Sequence, residues 1–230
     1  MSALQKTAGP QIKVCGLTVP EEAAACAAMG ADAIGLVFYP PSPRHLEADR
    51  AAAITAVLPS HVSAVGVFVN PTWEMLSEII LRSRLGGVQL HGDESPALID
   101  QIQEHFGVKV IKGLFAERPP YFADAGRFSV PAYLLECGRG AQPGGNALSW
   151  DWGAAAAFAR SHSTVLSGGL TPDNVAAAIA AALPNAVDAS SGLEAAPGRK
   201  DLRKVERFLK AVRETNLLYE RAGISLRPVF

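Results

Sequence analysis

Short apolar runs alternate with amphipathic stretches along this chain. Ile12-Lys13-Val14-Cys15 reads as a strand closed by Gly16, and Val19 to Met29 as an alanine-rich helix ending at Gly30. Glu21 and Glu22 fall in its first turn, where the helix dipole favours acids. The continuous run Ala33 to Phe38 reads as a buried parallel strand, and Leu46 to Leu58 as the helix that follows. Further strands are predicted over Ser63–Val69, Gly87–His91, Val108–Lys112 and Tyr133–Glu136. Helices are predicted over Thr72–Arg82, from Ser95 to about Phe106, and over Trp152–Arg160. Tandem prolines and a glycine weaken the helical pattern of Pro119–Phe128. Two last strands, ending in Val165-Leu166 and in Val187-Asp188-Ala189, each lead through small residues into a helix.

Eight strand-then-helix units with short connections imply an α/β protein with a parallel sheet. Eight units in 230 residues fit a TIM (β/α)8 barrel, read as one domain over 1–230 with a short N-terminal extension 1–10 and a tail 215–230. Leu217, Leu218 and Tyr219 in that tail either extend the last helix, Asp201 to Glu214, or pack underneath. A doubly wound open sheet would share the local pattern, but it carries its phosphate loop after the first strand. Here the candidate loops come late. Ser167-Gly168-Gly169 and Ser190-Ser191-Gly192 each offer uncovered backbone amides beside a helix start, with Thr171 or Asp173 as the cap of the first helix. Two such loops near the C-terminal end of a βα-repeating chain match the phosphate site of a (β/α)8 barrel, and either alone would be an ordinary tight turn.

Composition narrows the partners. Hydrophobic residues make up 49% of the chain, enough for a large core. The net charge of −1, from 21 basic and 22 acidic side chains, leaves no footprint for nucleic acid or an anionic membrane. No apolar run approaches the length of a membrane span, and residues 1–10 lack the layout of a signal peptide. Three cysteines, Cys15, Cys26 and Cys137, argue against a disulfide framework, so a cytoplasmic setting is expected. The chain is expected to act on a small molecule as a monomer or homodimer.

In a TIM barrel, chemistry sits at the C-terminal ends of the strands. That rule selects Cys15, Arg44, Gln89, His91, Glu136 and Asp188. Cys15 is either a small buried residue or a thiolate base. Glu136 is either a loop-start carboxylate or a proton donor with a raised pKa. Arg44, on a loop with three prolines within four residues, is either solvated or a bidentate carboxylate ligand. Gln89 and His91 alternate on one strand, can both face the interior and are read as substrate-binding, although a structural histidine is the commoner case. Asp188 orients a substrate hydroxyl or caps its loop. Cys26 is read as core, and Cys137 as pointing away from Glu136.

Several stretches together carry a family resemblance. Lys13-Val14-Cys15-Gly16-Leu17-Thr18, Phe38-Tyr39-Pro40-Pro41-Ser42-Pro43-Arg44, Gly66-Val67-Phe68-Val69-Asn70 and Val88-Gln89-Leu90-His91-Gly92-Asp93-Glu94 resemble motifs of the phosphoribosylanthranilate isomerases of tryptophan biosynthesis. So do Leu166-Ser167-Gly168-Gly169-Leu170, Val187 to Glu194, and Pro197 to Asp201, in family order from about residue 12 to 210. The resemblance implies an Amadori rearrangement of N-(5-phosphoribosyl)anthranilate to 1-(2-carboxyphenylamino)-1-deoxyribulose 5-phosphate, without metal or organic cofactor. It implies Cys15 as base, Arg44 on the anthranilate carboxylate, Asp188 near the sugar, and Gly168, Gly169, Ser190, Ser191 and Gly192 around the phosphate. The family's acid is an aspartate after Leu-Leu, whereas this chain has Glu136 after Leu134-Leu135. The family's Gly-Gly-Thr-Gly stands here as Gly144-Gly145-Asn146-Ala147. Two alternatives accompany this expectation. One is a related barrel isomerase of histidine biosynthesis, which needs a second phosphate cradle, and Asn70-Pro71-Thr72-Trp73 does not resemble one. The other is a non-catalytic phosphosugar-binding paralogue.

Overall fold

Strand alternation decides what this protein does with its side chains, because residues two apart share a face. A computed structural model describes residues 9–140 and 148–230. Eight parallel strands close into a barrel: β1 (Gln11–Cys15), β2 (Ala33–Phe38), β3 (Ser63–Phe68), β4 (Gly87–Leu90), β5 (Lys109–Phe115), β6 (Ala132–Glu136), β7 (Thr164–Leu166) and β8 (Ala186–Ala189). Pairing of β1 with β8, Gln11 opposite Ala186, completes the ring. Outside it lie α1 (Pro20–Ala28), α2 (Ala48–Thr55), α3 (Trp73–Ser83), α4 (Pro96–Phe106), α5 (Ala156–Ser161), α6 (Val175–Ala182), α7 (Leu202–Arg213) and α8 (Asn216–Ala222). This is the (β/α)8 architecture that the pattern predicts. The departure Gly144-Gly145-Asn146-Ala147 lies outside the described residues, as does 1–8 of the extension.

Outward strand residues such as Val14, Leu36, Val88 and Leu135 join the core between barrel and helices, with Cys26 and Cys137. Inward residues at the N-terminal end, Ala33, Val65, Ile111, Leu134, Val165 and Ala186, form a separate cluster. Toward the C-terminal ends the inward positions of β1, β4, β6 and β8 become polar, while Val37 of β2 and Val67 of β3 keep the opposite part of the mouth apolar.

Several boundaries differ from the predicted ones. The helix expected from Leu46 begins at Ala48, because buried Leu46 donates its N–H to the Val37 carbonyl and extends the edge of β2. Strand β5 continues past Lys112 to Phe115, with Gly113 opposite Leu134. Gly113 leaves room for a neighbour: a Cβ there would lie 3.0 Å from His91 Nδ1. The Pro119–Phe128 segment forms only a 3₁₀ turn over Phe122–Arg127, and Trp152–Ala155 is also 3₁₀ before α5. Neither Thr171 nor Asp173 caps α6. Asn174 holds that position, and its side chain accepts from Thr171 N–H and donates to the Gly169 carbonyl. A hairpin that the hydrophobic pattern does not announce, β9 (Glu194–Ala196) with β10 (Arg199–Lys200), follows β8.

The tail packs underneath rather than extending α7, because a turn at Glu214-Thr215 separates it as α8. Tyr219 of α8 is buried and donates its hydroxyl to the Pro184 carbonyl at 2.7 Å. The chain then crosses the base of the barrel, where Gln11 Oε1 accepts from the Val229 and Phe230 N–H groups. Val229 enters the inner cluster and is 2% exposed. Val229→Ala is therefore expected to cost about 1–3 kcal/mol of stability while leaving turnover unchanged, as thermal unfolding and steady-state kinetics would read.

Candidate active site

An open cavity of about 580 Å³ sits at the C-terminal mouth of the barrel, lined in part by Cys15, Arg44, Gln89, His91, Glu136, Asp188 and Ser190. Each strand-borne member obeys the inward alternation: Cys15 on β1, Gln89 on β4 with His91 just after it, Glu136 closing β6, and Asp188 on β8 with Ser190 just after it; Lys13 shares the parity of Cys15 one layer deeper. Gly168, Gly169, Ser191 and Gly192 belong to the loops beside the cavity rather than to its lining. Gly168 and Gly169 take φ of +91° and +68°, a left-handed turn that exposes successive amides. Gly192 packs its backbone against the Leu170 carbonyl, which brings the two loops together.

Cys15 owes its room to a neighbour. A Cβ on Gly35 of β2 would stand 2.5 Å from the Cys15 sulfur. The thiol is buried, and burial pushes its pKa up, with Asp188 adding to the rise and Lys13 and Lys200 opposing it. Lys13 is fully buried two residues before it, with Nζ 3.0 Å from Asp188 Oδ1. Lys13 and Asp188 thus answer each other's charge inside the barrel, while the buried Ser190 Oγ has no hydrogen-bond partner. A buried hydroxyl without a partner carries a cost, which suits a wall that receives a polar ligand atom.

Glu136 is held from the opposite side. His91 Nε2 lies 3.0 Å from its Oε2. The His91 ring stands edge-on to Phe115, with centroids 5.1 Å apart, and its Nδ1 is 3.3 Å from Gln89 Nε2. The loop bearing His91 is braced from outside the barrel. Buried Lys112 donates to the Gly92 carbonyl at 2.8 Å and to Glu94 Oε2 at 3.0 Å, and Glu94 accepts from the Asn70 and Gly92 N–H groups. Burial lowers the Lys112 pKa and the Glu94 charge opposes the drop. Across the cavity, Arg44 is buried and its Nε and Nη2 each meet a Glu194 oxygen at 2.7 Å.

The residues selected by strand position thus meet at one cavity. Lys13, Gly35 and Glu194 were not selected. Lys13 had a usable signal, since a lysine inside an apolar strand at the same parity as Cys15 must point inward. Gly35 and Glu194 had none: a space left for a neighbour and a contact across 150 positions have no local periodicity. Among the described residues no group of three or more His, Cys, Asp or Glu could hold a metal ion, and no helix is long and apolar enough to cross a membrane.

Comparison with known proteins agrees with this geometry. The family model for N-(5'-phosphoribosyl)anthranilate isomerase matches residues 12–211. A relative of that name from Desulfatibacillum aliphaticivorans is 47% identical over 210 residues, covering 91% of this chain and 96% of its own. The crystal structure of phosphoribosylanthranilate isomerase from Thermotoga maritima superposes with a TM-score of 0.79 at 36% identity, covering 89% of this chain and 99% of its own. Another, at 35% identity and TM-score 0.76 over 89% of this chain and 99% of its own, is a phosphoribosylanthranilate isomerase in complex with reduced 1-(o-carboxyphenylamino)-1-deoxyribulose 5-phosphate. A barrel with this cavity, matched along nearly its whole length, belongs to the N-(5'-phosphoribosyl)anthranilate isomerase family, the aldose–ketose isomerases of tryptophan biosynthesis.

Proposed function

We propose that the mouth of this single barrel domain converts N-(5-phosphoribosyl)anthranilate to its deoxyribulose product with Glu136 as general acid and Cys15 as general base. The observation that carries this assignment is the convergence of a β1 thiol and a β6 carboxyl on one cavity. The protonated Glu136 carboxyl delivers its proton to the furanose ring oxygen as the bond from that oxygen to sugar carbon 1 breaks. The anilino nitrogen lone pair forms the carbon–nitrogen double bond, so the substrate supplies its own electron sink. The Cys15 thiolate then takes the proton from carbon 2, and the electron pair returns to nitrogen. The resulting enolamine tautomerises to the ketone. Asp188 and Lys13 lie at the wall that would meet the sugar hydroxyls, Arg44 meets the anthranilate carboxylate, and Gly168, Gly169, Ser190, Ser191 and Gly192 meet the phosphate. A 35%-identical relative is known in complex with the reduced product, which supports this barrel type as a binder of such a ligand.

His91 and Gln89 serve the acid. Turning the Gln89 amide over exchanges donor for acceptor at His91 Nδ1, and so exchanges the tautomer facing Glu136. One tautomer presents an N–H to the carboxylate, and the other a bare nitrogen to the carboxylic acid. Glu136 is thereby held on both sides of its proton transfer. The loop after β3 does not offer the second phosphate cradle that a bisphosphate substrate needs. The Asn70 N–H is taken by Glu94, and its side-chain oxygen accepts from the Asp93 N–H.

The test is turnover of phosphoribosylanthranilate generated in situ, followed by loss of its fluorescence across pH. The base works as thiolate, and burial holds the thiol above its usual range. Hence kcat/KM is expected to rise with pH along a limb displaced upward from an ordinary cysteine. Lys13→Met, which removes a charge that opposes the rise, moves that limb higher still. No turnover by the wild-type protein would overturn the isomerase reading, and a limb unmoved by Lys13→Met would overturn Cys15 as its source.

A further inference from the structure

Arg44 has two edges, and the protein already occupies one. Guanidinium presents a side-on fork through Nε and Nη2 and an end-on fork through Nη1 and Nη2, each able to grip a carboxylate through two parallel bonds. Arg44 Nε meets Glu194 Oε1 at 2.7 Å and Nη2 meets Glu194 Oε2 at 2.7 Å, which is the side-on fork. Among the described residues no protein acceptor takes Nη1, and Arg44 lines the cavity. Glu194 is itself fixed, with Oε1 accepting from Lys200 Nζ at 2.9 Å and from the Gly198 N–H at 3.3 Å. Lys200 reaches on to the Ser190 carbonyl at 3.1 Å, so the cluster is tied to the loop after β8. Gly16, at φ +77°, passes beneath it where a Cβ would meet Arg44 Cδ at 2.5 Å.

We propose that Glu194 is a positioning residue that turns Arg44 into an end-on clamp, taking the Nε/Nη2 edge so that only the Nη1/Nη2 edge faces the anthranilate carboxylate. This rests on the assignment of Arg44 to that carboxylate. Charge supports it. An Arg44–Glu194 pair alone is formally neutral, and Lys200 brings the buried cluster to a formal +1, with burial lowering the Lys200 pKa and the Glu194 charge opposing the drop. Lys200 therefore supplies the attraction, and Glu194 supplies the direction.

Direction and charge predict opposite outcomes for Glu194→Gln. If Glu194 only neutralised charge, its removal would tighten binding of a carboxylated ligand. If it orients Arg44, the amide N–H2 facing a guanidinium N–H displaces the arginine, and binding weakens. The probes are the reduced product, 1-(2-carboxyphenylamino) form, and its phenylamino counterpart lacking the carboxylate, titrated calorimetrically. The carboxylated probe is expected to weaken by about 10- to 100-fold in Glu194→Gln, while the other probe binds within about threefold of wild type, which also shows that the site is folded. KM is expected to rise more than kcat falls. Glu194→Asp keeps the charge but withdraws the carboxylate, and it too is expected to lose preference for the carboxylated probe. Tighter binding, or equal weakening of both probes in both variants, overturns the proposal. Arg44→Met separates the two levels. If it abolishes the preference and the Glu194 variants keep it, Glu194 does not position Arg44. If Arg44→Met keeps the preference, the assignment of Arg44 fails and the proposal fails with it.

Discussion

Glu136→Gln is expected to lower kcat/KM for phosphoribosylanthranilate by about 10²–10⁴-fold, the usual contribution of a positioned general acid. An amide cannot release a proton to the ring oxygen, so the loss falls on ring opening. The amide is close in size to the carboxyl it replaces, and the cavity wall is otherwise unchanged. Binding of the reduced product, in which the ring is already open, is therefore expected to stay within a few-fold of wild type. Glu136→Asp asks how far the site is adapted to the longer acid. The carboxyl retreats by one methylene from His91 Nε2, which it now meets at 3.0 Å. A misplacement near 1 Å costs on the order of 10²-fold, so the aspartate variant is expected to fall between wild type and Glu136→Gln. Full activity in Glu136→Gln would exclude Glu136 as the acid.

Cys15→Ser carries the other large effect, again about 10²–10⁴-fold in kcat/KM. A serine hydroxyl in that buried place does not ionise in the working pH range, so no base meets the carbon 2 proton. A second variant reaches the same atom without touching its chemistry. Gly35→Ala places a methyl 2.5 Å from the thiol sulfur and 2.9 Å from the Cys15 Cα. A rotation of the side chain cannot relieve the contact with the Cα, so β1 has to shift against β2, and kcat is expected to drop about 10²-fold, the scale of a 1 Å displacement. Steady-state kinetics on both variants, with the primary isotope effect from substrate deuterated at carbon 2, checks the assignment. Both raise the isotope effect if the same proton transfer has become rate-limiting. Cys15→Ser at wild-type speed would move the base elsewhere.

The barrel itself was legible because a parallel strand buried on both faces announces itself as an apolar run, and eight of them left few architectures open. The residues at the strand exits followed from the barrel rule that chemistry sits at the C-terminal ends, which is why Cys15, Gln89, His91, Glu136 and Asp188 could be selected together, and their shared inward parity is what the structure adds. Parity does not reach past a strand. The hairpin β9–β10 has too few residues for a period, and its Glu194 acts through a partner 150 positions away. Nor does sequence register a side chain that has to be missing. Gly113 lies within β5, beyond the predicted end at Lys112, and leaves room for His91. The Leu46 helix start failed for a related reason: a helical pattern cannot show that a backbone amide has a better partner in the sheet.

Inward and outward strand positions answer to different constraints. Leu135 and Cys137, on either side of Glu136, point into close-packed apolar surroundings where one added methylene has to be absorbed by the helices. Glu136 ends in an open cavity, where one added methylene meets ligand space and a histidine ring. A longer carboxylate side chain at this position therefore reaches toward ligand space rather than into the packed layer under the helices. The closed ring of strands separates heritable change into two channels, one read out as stability and the other as chemistry. Substrate preference in such a chain can drift at the mouth, one alternate residue at a time, while the barrel beneath it stays the same.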